Sequence, residues 1–262
     1  MPSSPAELRV THGAALPSRS SGEHEPIQRY ARLAGVLGLI TVVAGGFGEA
    51  YVPGTLFVSG DPAATAGRIL GNEALFRWGF AAYLVEALCD AALTMAFWVL
   101  VRPVHRNLAM LMVVFRIIST CGFGAAQVLY FAALTTLLGA QTVVTLPPAE
   151  MEPLAYILLR AAAFGGSLFS MFYGAANIVM GWLIFRSGYF PRFFGVAIIG
   201  MGVAFAVRTF LLVLAPAYAS PLLLATAAVA FIPFILWLLV KGVNAEGWRR
   251  AGPGMTTQVI RP

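Results

Sequence analysis

Three ionisable side chains interrupt apolar stretches of this sequence and are the residues best suited to chemistry. Glu86 and Asp90 lie four residues apart in one stretch, and Arg116 lies in the next. Residues four apart share one face of a helix, where two carboxylates repel each other and a nearby arginine is favourable. We therefore predict a buried ion pair between Arg116 and one of the two acids. The other acid would be free to carry a proton, as intramembrane acids do in proton relays.

The same three residues support other interpretations. A hydrogen-bonded cluster that only fixes the register of two helices would use the same residue types. An embedded enzyme would use Glu86 or Asp90 as acid or base, with Arg116 as electrostatic support. Nothing else in the sequence defines a substrate or a reaction, so the enzyme is the weakest of these hypotheses.

A second group of charged residues lies nearer the ends of the apolar stretches. It comprises Glu49, Arg77, Arg160 and Arg208, with Glu73 one helical turn before Arg77 and able to pair with it. Glu49 then faces Arg160 and Arg208, which leaves an excess of positive charge. Arginine forks suit carboxylate or phosphate, so we predict a site for an anionic metabolite or a lipid headgroup. The alternative is that these arginines only extend to water at the membrane surface.

Signatures of common catalytic and cofactor sites do not occur in the sequence. The histidines, His12, His24 and His105, lie in polar segments, and there is no His-Glu-x-x-His pattern. A phosphate-binding glycine loop is missing, and Ser167 lacks the Gly-x-Ser-x-Gly setting of a hydrolase. We therefore predict no catalytic residue, no cofactor and no metal site.

The composition identifies the class of protein. Of the 262 residues, 59% are hydrophobic and 11% are charged, which is too apolar for an ordinary water-soluble domain. The net charge of +6 would suit nucleic acid in a soluble protein. Here the basic residues cluster at the ends of apolar stretches, where they set membrane topology. We therefore expect the lipid bilayer as partner and no nucleic acid, while a protein partner is not identified.

Six apolar stretches are long enough to form membrane-spanning helices. A helix rises about 1.5 Å per residue, so roughly 20 residues cross a hydrocarbon layer of about 30 Å. The predicted fold is an all-α, polytopic bundle of six transmembrane helices. The spans are about 33–53, 75–101, 107–138, 153–185, 193–215 and 221–240.

Basic residues gather at every second junction, which predicts the orientation. By the positive-inside rule these junctions are cytoplasmic, and so are both termini. The residues concerned are Arg29, Arg32, Arg102, Arg106, Arg186, Arg192, Lys241, Arg249 and Arg250.

The segments outside the spans complete the domain organisation. Residues 1–28 are polar and predict a disordered cytoplasmic tail, 29–244 form the transmembrane domain, and 245–262 form a flexible cytoplasmic tail. In the first outer loop, Asp61 followed by Pro62 predicts the start of a short interfacial helix. That helix is either a lid over an outward cavity or a surface helix that covers the bundle.

Short pieces spread over residues 29 to 244 carry a family resemblance. They include Val52-Pro53, Gly60-Asp61, Asn72 to Arg77, Arg102-Pro103-Val104, Arg186-Ser187-Gly188, and Trp237 to Asn244. In this order they resemble a family of bacterial multi-pass membrane proteins described only as a domain of unknown function. The resemblance implies a six-helix fold in a bacterial inner membrane, and it implies no activity.

The sequence is compatible with three functions. The first is a small-molecule, lipid or proton-coupled transport or binding protein, which requires a cavity that reaches the charged residues. The second is a non-enzymatic membrane subunit or sensor that acts through a partner, which predicts a dry bundle with every charge paired. The third, the membrane-embedded enzyme, is the least favoured.

Overall fold

The computed structural model describes residues 25–139, 147–220 and 222–251. Within these ranges the chain folds into helices joined by short connections. The helices are α1 (Glu25–Gly45), α2 (Val52–Leu56), α3 (Pro62–Gly71), α4 (Glu73–Val101), α5 (Arg106–Leu137), α6 (Pro148–Ser187), α7 (Arg192–Leu214), α8 (Leu222–Val240) and α9 (Ala245–Ala251). A π-helical turn, Gly46–Tyr51, joins α1 to α2 without a break.

The described part of the chain has six helical segments that are long and apolar enough to cross a membrane. They are Pro26–Leu56, which runs from α1 through α2, and then α4, α5, α6, α7 and α8. The predicted all-α fold with six transmembrane helices is therefore confirmed. The first segment extends beyond the predicted 33–53 at both ends, because the polar residues that flank its apolar centre remain helical.

The spanning helices form a closed ring in chain order. Each packs against the next one along the chain, and α8 packs against α1 as well. Facing residues run in opposite chain directions, as where Gly174 faces Gly202 and Gly181 faces Gly195, so neighbours are antiparallel. One face of the ring therefore carries the start of α1 and the ends of α4, α6 and α8; we call it the basic face. The opposite face carries α3, and we call it the α3 face.

Aromatic and apolar side chains dominate the surface between the two faces. Leu88, Val128 and Val229 are 74%, 67% and 77% exposed, as expected for side chains that face lipid. At the basic face, cations lie over aromatic rings one turn earlier in the chain. These pairs are Arg102 with Trp98 at 4.8 Å, Arg186 with Trp182 at 5.5 Å, and Lys241 with Trp237 at 4.7 Å.

Helix α3 is held in place by its own loop. The Asp61 side chain accepts a hydrogen bond from the Ala64 amide at 2.9 Å, which confirms the predicted start of the helix. The Thr65 hydroxyl accepts from the Val58 amide at 3.0 Å and contacts the Asp61 carbonyl at 2.8 Å. Arg68 donates to the Thr55 carbonyl at 3.2 Å. These bonds fix the loop between α2 and α3 above the bundle.

Helices α6 and α7 approach each other through glycines. A β-carbon on Gly202 would lie 2.5 Å from the carbonyl oxygen of Gly174, and one on Gly181 would lie 2.6 Å from that of Gly195. In each helix the two glycines are seven residues apart, so they return to the same face after two turns. Small residues of this kind let membrane helices pack backbone against backbone.

The two ends of the described chain meet at the basic face. The Gln28 amide donates to the Val243 carbonyl, and the Val243 amide donates back to it at 3.2 Å. The Trp248 indole and the Tyr189 hydroxyl both donate to the Leu100 carbonyl, at 3.1 and 2.7 Å. This carbonyl belongs to the last turn of α4 and has no partner within a helix.

These contacts explain two differences from the predicted tails. Helix α1 begins at Glu25, inside the segment predicted to be disordered, and α9 occupies Ala245–Ala251, inside the segment predicted to be flexible. Both are tied to the bundle by the bonds of Gln28 and Trp248. The remaining parts of the two predicted tails lie outside the described residues.

Candidate functional site

The centre of the site is a buried ion pair between α4 and α5. Arg116 donates through Nη2 to Oδ1 of Asp90, and the two side chains are 1% and 11% exposed. Asp90 lies 11 residues before the end of α4, and Arg116 lies 10 residues after the start of α5. Both are therefore about 15 Å from the basic face. Of the two partners that the sequence left open for Arg116, the structure shows Asp90.

Two threonines complete the hydrogen bonding of this pair. Thr94 accepts from Arg116 Nε at 2.9 Å and donates to the Asp90 backbone carbonyl at 2.7 Å. Thr120 donates to Asp90 Oδ2 at 2.8 Å. Both carboxylate oxygens of Asp90 therefore accept a hydrogen bond. Neither threonine was predicted from the sequence, although Thr94 follows Asp90 by four residues and Thr120 follows Arg116 by four.

Aromatic rings cover the guanidinium of Arg116. Its central carbon lies 5.2 Å from the ring centre of Tyr173 and 5.4 Å from that of Phe97. Cation–π contacts of this kind stabilise a cation that has lost water. Atom Nη1 is buried and has no hydrogen-bond partner among the described residues. No sequence pattern linked Tyr173 to the pair, because it comes from a third helix, α6.

Glu86 stays outside the ion pair. It lies near the midpoint of α4, one turn before Asp90, and its Oε2 is buried with no hydrogen-bond partner among the described residues. Its carboxyl packs against α1: a β-carbon on Gly45 would lie 2.9 Å from Oε1. The acidic groups that interact with it electrostatically are Glu49 and Asp90. Glu86 therefore lies within the membrane near two other acids. It forms no ion pair with a described residue.

Glu49 is placed by the π-helical turn Gly46–Tyr51. π-helical turns are rare and occur frequently at functional sites. As a whole residue, Glu49 is exposed at the surface of the bundle. Beside it, Gly48 packs close to α4, where a β-carbon would lie 3.1 Å from the carbonyl oxygen of Gly79. Glu49 is therefore a partly exposed acid that interacts electrostatically with Glu86.

This placement differs from the predicted grouping of Glu49. From the sequence we set it in the outer group, against Arg160 and Arg208. Because the first spanning segment continues to Leu56, Glu49 lies seven residues, or about 10 Å, inside the end of that segment. Its electrostatic neighbour is Glu86, so it belongs with the acids of the centre.

The other members of the outer group also separate. Arg77 donates to Glu73 at 2.6 Å, which is the predicted pair. Arg208 reaches the Ser167 hydroxyl at 3.5 Å, and its Nε is buried without a partner among the described residues. Ser167 lies seven residues from Arg160 on α6, about 10 Å along the helix axis. The structure does not bring Glu49, Arg77, Arg160 and Arg208 into one anion site.

A cavity of about 180 Å³ lies beneath the loop that precedes α3. Its lining residues come from that loop, from α3 and from α6. They are Phe57, Val58, Ser59, Thr65, Tyr156, Leu159, Arg160 and Ala163. Of the charged residues predicted from the sequence, Arg160 contributes to this lining, whereas Glu86 and Asp90 do not. This cavity therefore does not reach the central acids.

One comparison with known proteins gave a match. A family model described as a domain of unknown function (DUF4386) matches residues 33–242. No curated protein and no solved structure matches the sequence. The matched range covers most of the chain and lies within residues 29 to 244, over which the family resemblance was noted. It includes all the residues of the central site.

Proposed function

Since the chain belongs to the DUF4386 family, a domain of unknown function, only its own residues indicate its activity, and we propose a proton-coupled transport or binding protein with Glu86 as the proton site. The cavity beneath the α3 loop does not reach Glu86, so the proposal concerns the passage of a proton and not of a larger substrate through that cavity. The observation that carries this proposal is the Glu86 carboxyl. It lies near the middle of a membrane-spanning helix, and its Oε2 is buried without a hydrogen-bond partner among the described residues. An ionisable group in this setting marks a proton or ion pathway by default.

In the proposed mechanism the Asp90–Arg116 pair has a structural role, and the mobile proton is carried by Glu86. Both oxygens of Asp90 are engaged, by Arg116 and by Thr120, so this carboxyl is held by its partners. Oε2 of Glu86 has no hydrogen-bond partner among the described residues. The two carboxyl groups therefore have different roles in this proposal. The Asp90 carboxyl holds α4 to α5 through Arg116, and the Glu86 carboxyl exchanges a proton.

Glu49 is the second acid of the proposed proton pathway. It interacts electrostatically with Glu86 and is exposed on the bundle. Carboxyl groups can pass a proton directly or through one water molecule. In this proposal Glu86 exchanges its proton with Glu49, which lies about 10 Å inside the end of the first spanning segment.

The proposed location is the inner membrane of a bacterium, with the basic face in the cytoplasm. The six apolar helices support insertion into a membrane. The cluster of arginines, with Arg102, Arg186 and Lys241 over aromatic rings, supports a cytoplasmic position for that face. In this orientation the described ends of α1 and α9 are cytoplasmic.

Proton flux in liposomes tests the proposal. The purified protein is reconstituted with an enclosed pH-sensitive dye, and a pH gradient is applied in the presence of a potassium diffusion potential. Glu86→Gln is expected to abolish the flux, because glutamine keeps the shape but cannot exchange the proton. Glu246→Gln removes an exposed carboxyl that pairs with Arg250 on α9, so it controls for loss of charge. A wild-type protein without flux, or full flux in Glu86→Gln, would overturn the proposal.

A second function is favoured by one observation, the exposure of Glu49 within a membrane-spanning segment. An exposed carboxyl in the bilayer is costly. A neighbouring membrane protein with a cation or hydroxyl at that depth would remove the cost, and the chain would then be a non-enzymatic subunit or sensor. A photoreactive residue at Ala50 would give one discrete adduct in cells, whereas the same residue at Leu88, also exposed, would not. If photoreactive residues at Ala50 and at Leu88 gave the same products, Glu49 would be surrounded by lipid and the partner hypothesis would be wrong.

A further inference from the structure

The cavity beneath the α3 loop contains a cation that the proposed proton pathway does not use. Arg160 lines this cavity and is exposed. Its guanidinium has no ion-pair partner among the described residues, whereas Arg77, on α4, is paired with Glu73. Arginine presents its donors as a planar fork that matches the oxygens of phosphate and carboxylate. The cavity thus holds one unpaired positive charge.

The polar groups around Arg160 are hydrogen-bond donors. Tyr156, one turn earlier on α6, accepts a bond from the Gly60 amide at 2.8 Å, so its own proton remains available to a ligand. Ser59 adds a second hydroxyl at the exposed edge. The Thr65 hydroxyl is already occupied within the loop by Val58 and Asp61. Among the described residues, no carboxylate lines the cavity. This combination favours an anion and disfavours a cation.

The depth of Arg160 indicates where such an anion would be found. Arg160 lies 27 residues before the end of α6 at Ser187, on the basic face. This distance is about 40 Å along the helix, which exceeds the roughly 30 Å of the hydrocarbon layer. The guanidinium therefore lies at the level of the lipid headgroups on the α3 face. The phosphate groups of a bilayer lie at the same level.

The size of the cavity limits what can enter. At about 180 Å³ it is smaller than the roughly 300 Å³ at which pockets for whole drug-sized ligands begin. It can take a phosphate group with its nearest substituents. Phe57, Val58 and Leu159 supply the apolar part of the wall, which suits the carbon atoms next to a phosphate.

We propose that this cavity binds a phosphate group through Arg160, with the Tyr156 hydroxyl as a second donor. The phosphate belongs either to a phospholipid headgroup or to a small soluble phosphate ester. The site is independent of the Glu86 pathway, since neither Glu86 nor Asp90 lines it. Helix α3 and its loop act as the roof of the site.

Two binding measurements on the full-length protein in detergent test this proposal. In the first, native mass spectrometry measures retention of added phosphatidylglycerol. In the second, isothermal titration calorimetry measures binding of glycerol 3-phosphate. The variants are Arg160→Met and, as a matched control, Arg77→Met, which removes another exposed arginine from the same face. Circular dichroism and thermal unfolding confirm that both variants are folded.

Arg160→Met is expected to weaken one of the two interactions by about tenfold or more, as for loss of a charge-assisted hydrogen bond, while Arg77→Met leaves it unchanged. A loss confined to phosphatidylglycerol supports a lipid headgroup as the occupant, and a loss confined to glycerol 3-phosphate supports a soluble ester. Tyr156→Phe should weaken the same interaction several-fold. If neither ligand binds, or if Arg160→Met and Arg77→Met behave alike, the proposal is wrong.

Discussion

The carboxyl of Glu86 packs against the α-carbon of Gly45, with Oε1 2.9 Å from the point that a β-carbon there would occupy. This contact explains how an acid is accommodated between α1 and α4. Any larger residue at position 45 would push the carboxyl away. The space for Glu86 is therefore provided by a glycine on the facing helix.

The first prediction follows from this contact. Gly45→Ala should displace the Glu86 carboxyl and lower proton flux in liposomes by about tenfold or more, since small displacements of a reacting group have large effects on rate. Gly46→Ala is the matched control, because a β-carbon there meets nothing within 4 Å. Equal flux in the two variants would show that the packing against Gly45 has no role in the activity.

The second prediction concerns the ion pair of Asp90 and Arg116. Asp90→Asn and Arg116→Gln should each lower the free energy of unfolding by about 3–5 kcal/mol, because each leaves a buried charge without its partner. The double variant should lose less than the sum of the two. Reversible unfolding in mixed micelles, with both single variants and the double variant, measures this coupling. Strictly additive losses would mean that the two side chains do not interact.

The third prediction tests the contact of α6 with α7. Gly202→Ala should cost about 1–3 kcal/mol of stability, since the added methyl group would lie 2.5 Å from the Gly174 carbonyl oxygen. Gly200→Ala on the same helix should have little effect, because its β-carbon would meet nothing within 4 Å. Thermal unfolding of the two variants side by side measures the difference. A Gly200→Ala variant as unstable as Gly202→Ala would contradict the packing.

The fourth prediction tests the orientation in the membrane. In a variant without Cys89 and Cys121, a cysteine at Ser59 should react with an impermeant maleimide in intact cells. A cysteine at Asn107, exposed near the basic face, should react only after the membrane is permeabilised. The reverse pattern would place the basic face outside the cell.

Hydropathy and spacing predicted the helices well because each of those signals is local. The short helix α3 was found from Asp61 and Pro62, since capping depends on adjacent residues. The ion pair of Arg116 was predicted because α4 and α5 are antiparallel neighbours joined by a short turn. Residues at similar distances from that turn, such as Asp90 and Arg116, therefore lie at the same depth. In each case the information lay within one helix or one connection.

The parts that were missed depend on a third element or on a local irregularity. Tyr173 reaches Arg116 from α6, and Gly45 faces Glu86 from α1, so neither could be paired by position along α4 and α5. The π-helical turn shifts the residues around Glu49 out of the regular helical spacing. Depth counted from an assumed helix end placed Glu49 with the outer arginines, whereas it interacts electrostatically with Glu86. Side-chain position in a bundle depends on packing between helices, which a single sequence does not show.

The exchange of a proton at Glu86 is the central claim, and infrared difference spectroscopy tests it most directly. Spectra of the protein in lipid are recorded while the pH is changed, and carboxyl bands are assigned by comparison with Glu86→Gln and with the control Glu246→Gln. We predict a protonated-carboxyl band that responds to pH in the wild-type protein and in Glu246→Gln, and that is missing in Glu86→Gln. A Glu86→Gln spectrum identical to that of the wild-type protein would contradict the account.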